Sequence, residues 1–199
     1  MDLPPTLLDL AGRTIPLPDP GAATLVLIDL QNEYLAGPLR LDGAEAAAAA
    51  AARLLAAVRA RRGRVVHVAH AGRAGGLFDR MAERGAFVDA ATPITGEAVV
   101  EKRAISAFHG TNLAAHLPEP GTATLIVAGF MTHNCVSSTV RVAGDLGHTL
   151  VVAHDACATR SLPAPGGGVI DAATQHRAAI AGITDRFARA ASVAEILGE

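Results

Sequence analysis

The chain of 199 residues has no tryptophan, one tyrosine and two cysteines. So few flat aromatic rings leave little to stack on nucleic-acid bases. Two cysteines, Cys135 and Cys157, are too few for a disulfide framework, and a reducing compartment disfavours pairing them. No apolar run approaches the ~20 residues that span a bilayer. The opening stretch "MDLPPTLLDLAGRTIPLPDPG" lacks a basic start followed by an apolar segment and so does not read as a signal peptide. The formal net charge is −2, with no basic cluster large enough to follow a phosphate backbone. The densest basic spot, "RARRG" at Arg59 to Gly63, closes an expected helix, where cations complement the macrodipole. These absences predict a cytoplasmic protein that engages neither nucleic acid nor membrane.

What is present is hydrophobic: 50% of residues, enough for one well-buried core. Residues 1–21, rich in proline, read as a surface arm, and residues 22–199 as a single domain. "ATLVLIDL" (Ala23 to Leu30) is a continuous apolar run, as a strand buried on both faces should be. "RVVHVAH", "AVVEK", "ATLIVAGF", "HTLVVAHDA" and a short piece near "FARAAS" supply further strands. Helices are expected between them. One opens at Asp42 as N-cap, with Glu45 completing a capping box, and stops at Gly63. A short helix is expected around Phe78 to Arg84 and a brief one in "GTNLAAHL". Longer ones are expected in "THNCVSSTVRVAGDLG", closed by Gly147, and in "VIDAATQHRAAIAGI". Strands alternating with helices predict an α/β fold, with a mostly parallel sheet of roughly six strands and helices on both faces.

In open parallel sheets, ligands bind beyond the carboxyl ends of the strands. Three chemically capable residues fall at that edge. Asp29 ends the first strand, Lys102 ends "AVVEK", and Cys135 follows "ATLIVAGF" in the first turn of a helix. A thiol of ordinary pKa ~8.5 is activated by a helix N-terminus or a nearby cation. A carboxylate can take the thiol proton and return it to a leaving group. An ammonium can stabilise either charge, and unpaired N–H groups at a helix start can hold an oxyanion.

"LVLIDLQNEY", "EKRAISAF" and "AGFMTHNCVSSTVRVAGDLGH" together resemble three ordered motifs of the isochorismatase-like cysteine hydrolases, and "VVAHDACATRS" is similar to a fourth segment. The resemblance runs from about Ala22 to Leu197. It implies a three-layer αβα, Rossmann-like sandwich and a catalytic triad. Asp29 is then the general base, Lys102 its electrostatic partner and Cys135 the nucleophile. It also implies a non-proline cis peptide at Phe130–Met131, with the N–H groups of Met131 and Cys135 forming an oxyanion hole. Family members commonly pair or form rings, so a homodimer or higher homo-oligomer is expected. Nicotinamide-hydrolysing members carry a metal on an Asp-x-His pair after the second strand. Here that region reads "HVAHAGRAGG", without the pair. His67 and His70 are an odd number apart and face opposite ways on a strand, so no metal and no other cofactor is expected.

Gln31, Tyr34, His70, Arg73 and Phe108 are candidate substrate-pocket residues. His109 and Thr111 read as pocket or surface groups, and His133 as a weaker competing base. Cys157 reads as a buried small hydrophobe, and Asp155 and Arg160 as a structural pair or loop anchor. His67 reads as a core or interface histidine; His148, His154 and His176 have no assigned role. The expected activity is cleavage of a C–N bond in a small amide, lactam or carbamoyl compound, and a likeness to streptothricin hydrolases points to a lactam. Two alternatives stay open: a vinyl ether hydrolase, whose pocket would draw on Arg73, Arg103 or Arg160 for carboxylates, and a non-catalytic binding or oligomer module.

Overall fold

Every side chain of β1 (Thr24–Ile28) is buried. Leu25 and Leu27 point into one apolar cluster, and Val26 and Ile28 into another on the opposite face. At ~1.5–3 kcal/mol for each large aliphatic side chain removed from water, this strand sits where burial is most favourable, the centre of a sheet covered on both sides. The computed structural model describes residues 3–199. Around β1 lie β2 (Arg64–His70), β3 (Ala98–Lys102), β4 (Thr124–Phe130) and β5 (Thr149–Ala158), with β8 (Arg189–Ala191) at the far edge. The order is β3-β2-β1-β4-β5-β8, and every pairing is parallel. Strands β6 (Leu162–Pro163) and β7 (Val169–Ile170) form a separate antiparallel ribbon.

One face is covered by α3 (Ala44–Ala60) and α6 (Val193–Leu197), the other by α4 (Ser137–Asp145) and α5 (Ala172–Thr184). Helix α3 buries positions 44, 47, 48, 51, 54, 55 and 58, a helical stripe made mostly of alanine at its start, so its backbone lies close to the sheet. Two one-turn helices complete the set: α1 (Leu7–Leu10) in the arm and α2 (Glu33–Ala36) after β1. The arm is tied down, with Leu7 N–H donating to the Asp185 carboxylate at 3.0 Å.

The structure differs from the sequence reading at several helix ends. Asp42 does not cap α3. It is held extended by a bridge to Thr159, so Gly43, at φ +73°, takes the cap position, and Glu45 pairs with Arg40 instead. The helix expected over Phe78 to Arg84 shrinks to a 3₁₀ turn, Glu83–Gly85, and the one in "GTNLAAHL" to another, Leu113–His116. Between β4 and α4 the chain forms a π turn, Thr132–Val136. Cys135 therefore lies in that turn and not in the first turn of the α-helix.

The strand order reverses direction between β1 and β4, which puts the crevice of such a sheet beyond their carboxyl ends. Strand β5 bulges opposite this point: two steps along β4, from Val127 to Gly129, match five along β5, from Val152 to Cys157.

Candidate active site

Asp29 is the first residue past β1. Its N–H still joins the sheet, donating to Val68 O at 2.9 Å, but its φ is +51°. Aspartate tolerates this left-handed region better than most side chains. The turn places the carboxylate over the sheet rim, fully buried. Lys102 ends β3, in register with His70 on β2. Its side chain is fully buried and reaches across β2 toward β1 and β4. There the ammonium meets Asp29 Oδ2 at 2.7 Å and Cys135 Sγ, His70 Nδ1 and Ala104 O at 3.2 Å each. Four acceptors share three N–H donors. The closest contact, to Asp29, is an ion pair without good hydrogen-bond alignment, so neither carboxylate oxygen has a well-aligned donor.

Cys135 is 3% exposed. It is presented by the π turn, where Met131 O accepts from Asn134 N–H at 3.0 Å and Val136 N–H at 3.2 Å. The bond Phe130–Met131, just before the turn, is cis. Burial pushes the Cys135 thiol up to about 12, aided by the Asp29 charge and opposed by Lys102. Burial likewise raises Asp29, against the pull of Lys102. Burial and then Lys102 push His70 down to about 4, so the imidazole is neutral and accepts at Nδ1. The resting site is thus a neutral thiol and a neutral imidazole around the close contact of Asp29 with Lys102. Asp29, His70 and Cys135 each bring a metal-ligating atom within 4.8 Å of the others. The Lys102 ammonium already contacts all three, so a metal ion there would have to displace it.

The surrounding residues divide by role. Gln31, expected to touch substrate, is spent on the backbone. Its amide N donates to His70 O at 3.1 Å and Gly85 O at 2.8 Å, and its Oε1 accepts from His70 N–H at 2.8 Å. It clamps the end of β2 and leaves no polar atom for a ligand. Tyr34 is a buried wall packed on Phe78 and Phe130, at ring separations of 5.1 and 5.5 Å. Burial first, and then the proximity of Asp29 and Cys135, raises its hydroxyl pKa, which marks its closeness to both. His70 packs on Phe78 at a tilt, with ring centres 5.0 Å apart. Phe108 is half-buried against the α4 side of the core. Arg73 lies exposed on the loop after β2 and makes no ion pair among the described residues.

Asp155 and Arg160 do not pair. Asp155 accepts from Val193 N–H at 2.9 Å, while Arg160 Nε is buried with no hydrogen-bond partner. His133 bonds to Thr159 Oγ1, and Thr132 bonds to His176 Nδ1 at 2.9 Å. Thr111 donates to Ala107 O at 2.5 Å and accepts from Leu113 N–H at 3.2 Å, so its hydroxyl is used within its own loop. Thr139 holds Ala107 N–H at 3.0 Å, fixing the loop after Lys102 on α4. The contacts of Thr132, Thr139 and Thr159 were not anticipated from sequence. Each joins elements far apart in the chain and leaves no local pattern.

The Isochorismatase domain matches residues 23–195. An isochorismatase from Pseudomonas putida of known structure is 44% identical, covers 97% of this chain and 99% of its own, and superposes with a TM-score of 0.92. A secreted isochorismatase effector from Verticillium dahliae is 36% identical over 87% of this chain and 90% of its own. A streptothricin hydrolase from Streptomyces noursei is 43% identical over a shorter segment, 34% of this chain and 25% of that protein. With its parallel αβα sheet and this match, the chain belongs to the isochorismatase family and is a hydrolase. Among the described residues no helix is long and apolar enough to cross a membrane.

Proposed function

We propose that the protein is a cysteine hydrolase that cleaves the C–N bond of a small amide, lactam or carbamoyl compound through a thioester. One observation carries this reading: a single ammonium, Lys102, lies 2.7 Å from Asp29 and 3.2 Å from Cys135 Sγ. As Cys135 attacks the carbonyl carbon, its proton passes to Asp29. The raised affinity of Asp29 for a proton suits it to that task better than an exposed aspartate. Lys102 is placed to balance the negative charge wherever it rests, on carboxylate or on sulfur. The N–H groups of Met131 and Cys135 hold the oxyanion. Asp29 then gives its proton to the departing nitrogen as the C–N bond breaks. In the second half it takes a proton from water, which attacks the thioester, and gives that proton to the Cys135 sulfur as the C–S bond breaks and the acid leaves.

The test is amine or ammonia release from a panel of primary amides, lactams and carbamoyl compounds, with intact-mass detection of an acyl adduct on Cys135. Turnover with a trapped adduct, both lost in Cys135→Ala, is the expected result. Turnover that survives Cys135→Ala would mean bond cleavage without sulfur, as in vinyl ether hydrolysis, and would overturn the thioester.

A further inference from the structure

The π turn that presents Cys135 has no cap of its own. Met131, at its head, makes no side-chain hydrogen bond, so the first N–H groups of the turn are not fixed from within it. The next two residues are tied to other elements instead. His133 bonds to Thr159, just past β5, and Thr132 bonds to His176 of α5.

Thr132 is fully buried, and a buried hydroxyl left without a partner is unfavourable. Its partner is His176 Nδ1, 2.9 Å away, and among the described residues it has no other. Burial first, and then His154, lowers the His176 pKa, so the imidazole is neutral and its Nδ1 can accept from the hydroxyl. Helix α5 is itself held near both ends. Ala172 N–H donates to Ser161 Oγ at 3.1 Å, and Gly182 O accepts from Arg141 of α4 at 2.9 Å. Elsewhere the His176 ring lines a cleft of about 410 Å³ between α3, β5 and α5, which neither Asp29 nor Cys135 lines. His176 therefore reaches the chemistry only through Thr132.

Thr132 directly follows Met131, whose N–H is one proposed oxyanion donor, and lies three residues before Cys135, which carries the other. We infer that His176 is a positioning residue, which sets the oxyanion donors of Met131 and Cys135 through its bond to Thr132. With the bond, the head of the turn is held against an anchored helix. Without it, the hydroxyl must find another acceptor, and the peptides on either side must shift. A displacement of about 1 Å in a reacting geometry can cost ~10²-fold in rate. This inference rests on the reading of Cys135 as nucleophile and adds what aims the groups around it.

Two probes of Cys135 separate aim from fold. With p-nitrophenyl acetate the sulfur adds to the carbonyl carbon, an oxyanion forms, and p-nitrophenolate leaves as the C–O bond breaks. Iodoacetamide alkylates by displacement of iodide and passes through no oxyanion. Both start from the same thiolate, so the ratio of the two rates cancels a change in thiol pKa. The Cys135→Ala protein supplies the background for each. In His176→Leu acylation should fall roughly 10–10²-fold relative to alkylation. His176→Asn, which can place an amide group near the position of Nδ1, should recover most of the loss, and Thr132→Val should reproduce it. Thr132→Val added to His176→Leu should cost little more, since both remove the same bond. A ratio unchanged in His176→Leu, or losses that multiply in the double variant, overturns the inference.

Amide exchange reads the turn with no chemistry at Cys135. Asn134 and Val136 N–H close it on Met131 O at 3.0 and 3.2 Å, and both should exchange faster in His176→Leu. Exchange as slow as in the wild type overturns the inference. A Cys135 inert to both probes beside faster exchange would sink the nucleophile and leave the hold of His176 on the turn standing.

Discussion

Asp29 and Cys135 share one ammonium, so a change at either alters the charge that the other feels. Burial holds the Cys135 thiol high, and the Asp29 charge holds it higher. In Asp29→Asn that charge is gone and Lys102 acts on the thiol alone. The thiol pKa must then fall from about 12, and iodoacetamide should label Cys135 faster at neutral pH. With Asp29 as the proton carrier proposed above, turnover should nonetheless drop by roughly 10²–10⁴. Labelling rate against pH, with peptide mapping to separate Cys135 from Cys157, checks this. An alkylation midpoint unmoved by Asp29→Asn would show that the two groups are not coupled.

Lys102→Met tests the other side of the pair. It leaves the Asp29 carboxylate buried without a counter-charge, and breaking such a pair costs about 3–5 kcal/mol. The folded-state pKa of Asp29 is already raised and would rise further. A raised carboxylate binds its proton more tightly when folded, so the deficit should be largest at high pH and shrink as pH falls and Asp29 protonates. Urea midpoints at pH 5 and pH 8 measure it; a deficit that does not depend on pH would refute the pairing.

At the scale of elements, the site depends on how closely β4 approaches β1. Gly129 has φ +123°, and a Cβ there would lie 2.0 Å from Ile28 O, the carbonyl just before Asp29. Gly129→Ala must separate the two strands that lead to Asp29 and to Cys135. We expect a loss of about 3 kcal/mol or more, from strain and overpacking together, with activity falling alongside. Gly110→Ala, at φ +67° with open space around it, is the control and should cost about 1–2 kcal/mol. Equal denaturation midpoints for the two variants would show that the contact between the strands is not tight.

The same elements show what a sequence can reveal. The buried strands were legible because parallel strands covered on both faces must be apolar throughout, as "TLVLI" and "TLIVAGF" are. The convergence of Asp29, Lys102 and Cys135 was legible because it needs only that each lie at a strand's carboxyl end. The π turn was not, since its residues do not differ in type from those of a helical turn. Gln31 beside Asp29 looked like a ligand contact, and only tertiary structure could bring its amide to His70 and Gly85. Arg160 was visible as a cation but not as an unpartnered one.

Across the whole molecule, the two ends of the pH range act on different groups. Glu97 ties α3 to β2 and to the segment before β3. It accepts two bonds from Arg59, both at 2.7 Å, one from His67 at 2.8 Å and one from Ile94 N–H at 3.0 Å. Arg59, expected to do no more than complement a helix dipole, is the cation that fixes this junction. Burial disfavours the Glu97 carboxylate, but Arg59, the Ile94 N–H and His67 outweigh it and hold it down to about 2. His67 is also lowered, by burial first, with Glu97 opposing.

For both groups the unfolded chain takes up a proton before the folded one does, so both weaken the fold as pH falls. His67 begins to act below its ordinary pKa of about 6.5, and Glu97 below about 4.3, with its share gone by about pH 2. Asp29 works in the opposite sense, since its raised pKa favours the folded state as it protonates. Acid sensitivity therefore traces in part to this junction, with His70, pushed down to about 4, acting in the same sense, and not to Asp29. Glu97→Gln should lower the denaturation midpoint at pH 7 and flatten the acid limb, so that variant and wild-type curves converge toward pH 2. Midpoints measured from pH 8 downward decide it. Curves that stay parallel throughout would remove Glu97 as the source of the acid limb, whereas convergence would place the acid limit of the fold at this junction between α3, β2 and the segment before β3.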